Sequence, residues 1–210
     1  MLDSVRDWWH QLVSPIAKAL LRAGVPVNAV TWLGAIATCV VALVCFPQGW
    51  LWQGVLLQLL FVLSDTLDGT MARLSGQQTT WGAFLDSTLD RVADGALFAG
   101  VILYYAGVGD SLLWAAVGLG ALVFAQVTSY AKARGEAVGI PVSGGLVTRA
   151  DRVTVLLLGA LLSGLGLGWA LPAALSFLCG AGLITVLQRM AMVHRATRES
   201  DFLQEGVDGA

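Results

Sequence analysis

Four aspartates, Asp65, Asp68, Asp86 and Asp90, interrupt two otherwise apolar runs of this 210-residue chain. Asp65 and Asp68 are three residues apart and Asp86 and Asp90 four apart, so on helices each pair shares one face. The short stretch between the pairs makes two such helices antiparallel neighbours, with the acids opposed across a small volume. Left uncompensated, four carboxylates repel one another, and partial burial adds a desolvation penalty for the charged forms. Arg73 and Arg91 offset part of that charge. A donor set made only of hard oxygens is the natural seat of Mg²⁺, with Mn²⁺ as a substitute. Acids solvated at a membrane surface, or paired with basic headgroups, are the alternative. That alternative accounts for one isolated pair better than for two pairs flanked by Gly69, Ala72 and Gly82. Gly69 and Gly82 would let a bulky ligand such as a nucleotide diphosphate approach the helix backbone, although tight helix packing favours the same residue.

A second polar cluster reads Ser129-Tyr130-Ala131-Lys132-Ala133-Arg134-Gly135-Glu136, followed by Thr148-Arg149-Ala150-Asp151-Arg152. Lys132, Arg134 and Arg152 could together hold a dianionic phosphate, with arginine supplying bidentate contacts. Lys132 and Arg134 diverge on an ideal helix, so a shared ligand needs side-chain reach or a helix end there. Charges that set orientation against anionic lipid headgroups would look the same.

The elements that must position these groups are membrane helices. The composition is 57% hydrophobic and 12% charged, with net charge −2, which excludes an ordinary water-soluble domain and gives no reason to expect a nucleic-acid partner. Six apolar segments are predicted, at about 29–46, 50–68, 82–106, 111–131, 152–168 and 171–191, long enough or nearly so to cross a hydrocarbon layer of about 30 Å. The breaks at Pro47-Gln48-Gly49, Gly107 to Asp110 and Gly166 to Pro172 carry no Lys or Arg. All twelve basic residues fall on the other side, so the positive-inside rule puts both termini in the cytoplasm and calls for an even number of spans. Residues 1–24 read as an amphipathic helix on the membrane surface, anchored by Trp8 and Trp9, rather than a cleaved signal peptide. Residues 25–198 form the membrane domain, and 199–210 an acidic tail expected to be disordered. Cys39, Cys45 and Cys179 lie within apolar runs and His10 and His194 stand apart, so neither a disulfide framework nor a zinc site is indicated.

Taken together, the acids spell D-x-x-D-G-x-x-A-R, eight residues, then G-x-x-x-D-x-x-x-D, from Asp65 to Asp90. This resembles the signature of the CDP-alcohol phosphotransferase family at all eight defining positions, Asp65, Asp68, Gly69, Ala72, Arg73, Gly82, Asp86 and Asp90. The resemblance implies an all-α integral membrane fold of six transmembrane helices behind a surface helix, often as a homodimer. It implies that Asp65, Asp68 and Asp86 hold two divalent ions, while Asp90 binds metal or acts as general base on the acceptor hydroxyl. Gly69, Ala72, Arg73 and Gly82 would line the CDP-lipid site, and Asn28 and Thr31 match a family entry to the first span, although Asn28 is also suited to capping a helix. The second cluster resembles the S-Y-x-K-A-R-x-E and R-x-x-R elements of actinobacterial phosphatidylinositol phosphate synthases, a branch of that family. There the equivalents of Lys132, Arg134 and Arg152 bind the phosphate of inositol phosphate. The sequence departs from that branch in having Gly135 where Ala is usual and Thr148 where Glu commonly precedes the arginine. The implied reaction joins CDP-diacylglycerol to 1D-myo-inositol 3-phosphate with release of CMP, at a plasma membrane and on its cytoplasmic side. A phosphatidylglycerophosphate synthase shares the metal motif, with glycerol 3-phosphate as acceptor. A cation transporter could also place acids among helices, though more naturally near mid-membrane.

Overall fold

A computed structural model describes residues 14–76 and 79–208, leaving aside the side chains of 62–66, 68 and 199–208. Among the described residues every regular element is helical: α1 over 14–22, α2 (Val27–Cys45), α3 (Leu51–Ser75), α4 (Thr80–Ala106), α5 (Leu112–Ala137), α6 (Arg149–Gly164) and α7 (Ala170–Asp208). The surface-helix expectation for Trp8 and Trp9, and His10 with them, lies outside the described residues. Two compact units divide the chain, Met1–Gly100 and Val101–Ala210.

In the first unit, α2 and α3 form a hairpin closed by Trp50 N–H donating to the Cys45 carbonyl and by Gly49 at φ 80°, a left-handed turn residue that lacks a Cβ to clash. Phe46, fully buried, fills the space left by two other glycines. A Cβ on Gly54 would sit 2.7 Å from its ring, and one on Gly100 would strike the Ala42 carbonyl, so α4 crosses α2 almost backbone to backbone. Gln58, buried in this apolar layer, donates Nε2 to the Thr38 carbonyl at 2.9 Å, tying α3 to α2. At the other end of the hairpin, Ala17 of α1, Val30 of α2 and Met71 of α3 form a buried cluster joined by Leu20, Leu21, Val25, Val27 and Leu67. Gly76 at φ 65° stops α3, and Thr79 restarts the chain by accepting the Gly82 N–H at 3.0 Å.

In the second unit, α5 and α6 both pack on α7. Small residues permit the approach: Gly118 faces Leu175, Gly120 faces Cys179, Gly182 faces Phe124, and Gly159 faces Ala174. Ser111 begins α5 by accepting the Trp114 N–H, and Gly139 at φ 82° follows its end.

Helices α2, α5 and α7 as far as Arg198 are long and apolar enough to cross a membrane. They place the chain among integral membrane proteins, and their outward residues fit that solvent, as with Leu33, Ile36, Val40 and Val44 on α2. Helix α4 carries Asp86, Asp90, Arg91 and Asp94, which break its apolar run. Helix α6, at 16 residues, reaches only about 24 Å at 1.5 Å per residue. Helix α7 runs through Asp208, into the stretch from 199 that composition marks as an acidic tail.

Candidate active site

Asp65 and Asp68 lie within the unbroken helix α3, and the residues after them fix how its far end sits. Thr70 and Met71 are buried, turning one face of α3 into the cluster with α1 and α2. Gly69 lies outside that face, and a Cβ built on it would meet nothing within 4 Å. Arg73, one turn on, folds back to donate Nε to the Gly69 carbonyl at 3.1 Å and remains exposed. An open backbone edge with a guanidinium laid along it is a surface on which an anionic diphosphate can lie. Ala72 adds only a methyl beside it.

Helix α4 faces the start of α2. A Cβ on Gly82 would come within 3.2 Å of Thr79 Oγ1 and 3.8 Å of Asn28 Oδ1, so two residues expected to share the nucleotide pocket are neighbours. Asn28 is not the helix cap: Pro26 holds that position, and no side chain caps α2. Thr31 keeps its hydroxyl on its own helix, donating to the Val27 carbonyl at 3.4 Å.

Along α4 the acids become progressively enclosed. Asp86 is exposed, the Asp90 side chain is 20% exposed, and the Asp94 side chain only 5%. Leu85 and Leu89 are buried, which leaves Asp86 and Asp90 one turn apart on the accessible side. Arg91 Nη2 lies 3.4 Å from Asp94 Oδ2 and 3.9 Å from Asp90 Oδ2. Asp94 escaped the sequence reading, although it continues the four-residue spacing of Asp86 and Asp90. Among the described residues no three His, Cys, Asp or Glu side chains converge as a metal site. Asp86 and Asp90 supply two carboxylates of the kind a hard dication needs, and their exposure suits that role.

On the basic side, α5 remains helical to Ala137, so Lys132 and Arg134 point apart, as ideal geometry requires, and are not brought together. Lys132 pairs with Glu136 at 3.8 Å, both about half exposed, a contact worth little in stability. Arg152 is different. It is 3% exposed and donates Nη2 to Ser129 Oγ at 3.2 Å, bringing the first turn of α6 to the face of α5 that also carries Lys132 one turn later.

Both departures from the expected pattern have structural reasons. Thr148 is the N-cap of α6: its N–H and hydroxyl donate to Asp151 Oδ2 at 2.8 and 2.7 Å, and its oxygen accepts the Asp151 N–H, a reciprocal capping box. Those donors, the hydroxyl first, hold the Asp151 carboxyl below its ordinary range. Gly135 is buried where a Cβ would overlap Val142 Cγ2, so glycine lets the α5–α6 connection fold down onto α5.

Arg189, counted from sequence among the charges that set orientation, turns inward. Its Nη1 donates to the Thr128 carbonyl at 2.6 Å, and Nε and Nη2 donate to the Gly144 carbonyl at 3.2 and 3.0 Å. Thr185, one turn earlier, accepts the Leu146 N–H at 3.1 Å, and Gly145 at φ 125° passes where a Cβ would strike Thr185. Helix α7 thereby pins the segment leading to Arg152 and the backbone next to Ser129. A charged residue inside an apolar helix was the available signal.

Residues 25–187 match the CDP-alcohol phosphatidyltransferase family. The chain belongs to that family. Within it, the chain is 51% identical over 204 residues to a phosphatidylinositol phosphate synthase from Cutibacterium acnes, covering 93% of this chain and 99% of the relative. It is 44% identical over 203 residues to one from Streptomyces avermitilis, with 93% and 83% covered. A crystal structure of the Mycobacterium tuberculosis phosphatidylinositol phosphate synthase with CDP-DAG bound superposes with a TM-score of 0.84 at 40% identity, over 87% of this chain and 94% of that one. Another of the same enzyme, in complex with manganese and citrate, gives 0.80 at 39% identity, over 86% and 88%. As a family member, the chain is a phosphatidyltransferase with a membrane fold whose described regular elements are all helices.

Proposed function

We infer that this family member is a phosphatidylinositol phosphate synthase, which transfers the phosphatidyl group of CDP-diacylglycerol to 1D-myo-inositol 3-phosphate and releases CMP. The observation that carries the reading is 51% identity along essentially the whole of a synthase of that name, by a chain that keeps all eight positions of the acid motif. Asp65, Asp68, Asp86 and Asp90 hold Mg²⁺ or Mn²⁺, as two ions; the manganese complex of the mycobacterial relative supports a divalent metal. Bound dications supply charge neutralisation on the diphosphate and on the departing CMP.

The chain's own residues do the rest. Gly69 and Gly82 leave room for CDP against the helix backbones; Ala72, Asn28 and Thr31 line it, and Arg73 meets its anionic oxygens. Asp90 accepts the proton of the acceptor hydroxyl as that oxygen attacks the phosphorus attached to the lipid. Arg152 binds the acceptor's phosphate, aided by Lys132, with Arg134 reaching it by side-chain length. Six spans, cytoplasmic termini, a surface helix over residues 1–24, a homodimer and a plasma-membrane location with a cytoplasmic active site complete the proposal, supported by the one-sided basic residues.

The test is to give purified protein labelled CDP-diacylglycerol with inositol phosphate, free inositol, glycerol 3-phosphate or serine in separate reactions. Lipid product is expected with inositol phosphate alone. Product with glycerol 3-phosphate alone would make the chain a phosphatidylglycerophosphate synthase.

A further inference from the structure

Asp94 is the buried carboxylate that the proposed reaction does not use. It lies on α4 among Ala93, Leu97, Phe98 and Val101, all buried, and its own side chain is 5% exposed. A carboxylate in such surroundings is costly unless a cation compensates it. Among the described residues Arg91, one turn back on the same helix, compensates it, with Nη2 at 3.4 Å. That same nitrogen is 3.9 Å from Asp90 Oδ2. One guanidinium thus stands between the carboxylate assigned to chemistry and a second carboxylate assigned to nothing, and it sits closer to the second.

We propose that Asp94 is a positioning residue that holds the Arg91 guanidinium away from Asp90, keeping the Asp90 oxygens available to a divalent cation. The inference rests on the metal reading given above. A planar guanidinium forms its strongest contacts with a carboxylate as a two-pronged pair. Removing the Asp94 charge leaves Arg91 with Asp90 as the nearest described carboxylate, and a small rotation converts the 3.9 Å approach into such a pair. The pair would occupy the oxygens that the cation needs. A carboxylate that only balanced charge would act on the cation through its charge alone, and Asp94→Glu, which keeps that charge, would leave the cation's affinity unchanged.

The experiment measures Mn²⁺ binding to purified protein from the paramagnetic signal of free Mn²⁺, with the thermal midpoint recorded beside it. Asp94→Asn is expected to weaken Mn²⁺ binding by about tenfold or more, the scale of losing a group that orients a metal ligand. Adding Arg91→Gln to Asp94→Asn removes the misdirected guanidinium and should return the affinity to near the wild-type value. Unchanged affinity in Asp94→Asn, or a double variant as weak as Asp94→Asn, would overturn the proposal. If Asp94→Asn does not fold, Asp94→Glu takes its place: the extra methylene pushes Arg91 towards Asp90, so several-fold weaker binding is expected and unchanged binding overturns the proposal. Wild-type protein that binds no Mn²⁺ would bring down the metal reading and this inference together. Wild-type binding with no change in these variants brings down the inference alone.

Discussion

Arg152 on α6 reaches across to Ser129 on α5, Nη2 to Oγ at 3.2 Å, while Arg189 on α7 donates to the carbonyl of Thr128, the residue just before that serine. Two buried arginines thus set one short stretch of α5, the first through its side chain and the second through its backbone. Ser129 in turn donates to the Ala125 carbonyl, so its oxygen has a fixed direction.

Arg152 should therefore govern acceptor affinity. In Arg152→Gln the acceptor's apparent KM should rise about tenfold or more, the scale of one charge-assisted hydrogen bond, with the KM for CDP-diacylglycerol unmoved. Steady-state kinetics with each substrate varied in turn checks this. An unchanged acceptor KM would leave Arg152 with a packing role alone, tying α6 to Ser129.

Asp90 carries the proton transfer in the proposed mechanism. Asp90→Asn should still bind CDP-lipid yet lose turnover by about a hundredfold or more, the contribution typical of a positioned base. Equilibrium binding of labelled CDP-diacylglycerol alongside turnover separates the two effects, and turnover at the wild-type rate would remove Asp90 from this role.

Gly135 tests the packing of the α5–α6 connection. Gly135→Ala places a methyl on Val142 Cγ2, and overpacking of this kind costs about 1–3 kcal/mol. The thermal midpoint in detergent should fall by several degrees, and the added substitution Val142→Ala should recover most of the loss by opening the space again.

The capping box on α6 predicts a pH dependence. Because Thr148 holds the Asp151 carboxyl below its ordinary value, the interaction is fully present above about pH 4 and is lost as pH falls through the depressed folded value. Thr148→Ala should lower the thermal midpoint at neutral pH and lessen its decline on acidification. Thermal unfolding measured from pH 7 downwards for both proteins gives the comparison, and parallel curves would contradict it.

The parts of this molecule legible in the sequence are those where apolar and polar residues alternate over long distances. Hydropathy places every helix from α2 to α7, because an acid or a Gly-Pro break stands out against a membrane-length apolar run. It ends α5 near residue 131, whereas the helix continues to Ala137 through Lys132, Arg134 and Glu136, good helix formers that hydropathy cannot distinguish from a loop. The spacing of Asp65 to Asp90 identifies the family because chemistry, rather than packing, fixes it. Burial direction is harder to read. Arg189 and Arg152 have the same residue type as the exposed Arg134, and only tertiary contacts with Gly144, Thr128 and Ser129 turn them inward. Asp94 was concealed in the same way, one helical turn past a motif that ends at Asp90.

The most direct measurement of the central claim is CMP release from CDP-diacylglycerol by the purified protein as each component is withheld in turn. CMP is expected only when lipid donor, divalent cation and inositol phosphate are all present. Release that persists under chelation, or that ignores the presence of inositol phosphate, would contradict metal-dependent transfer to that acceptor.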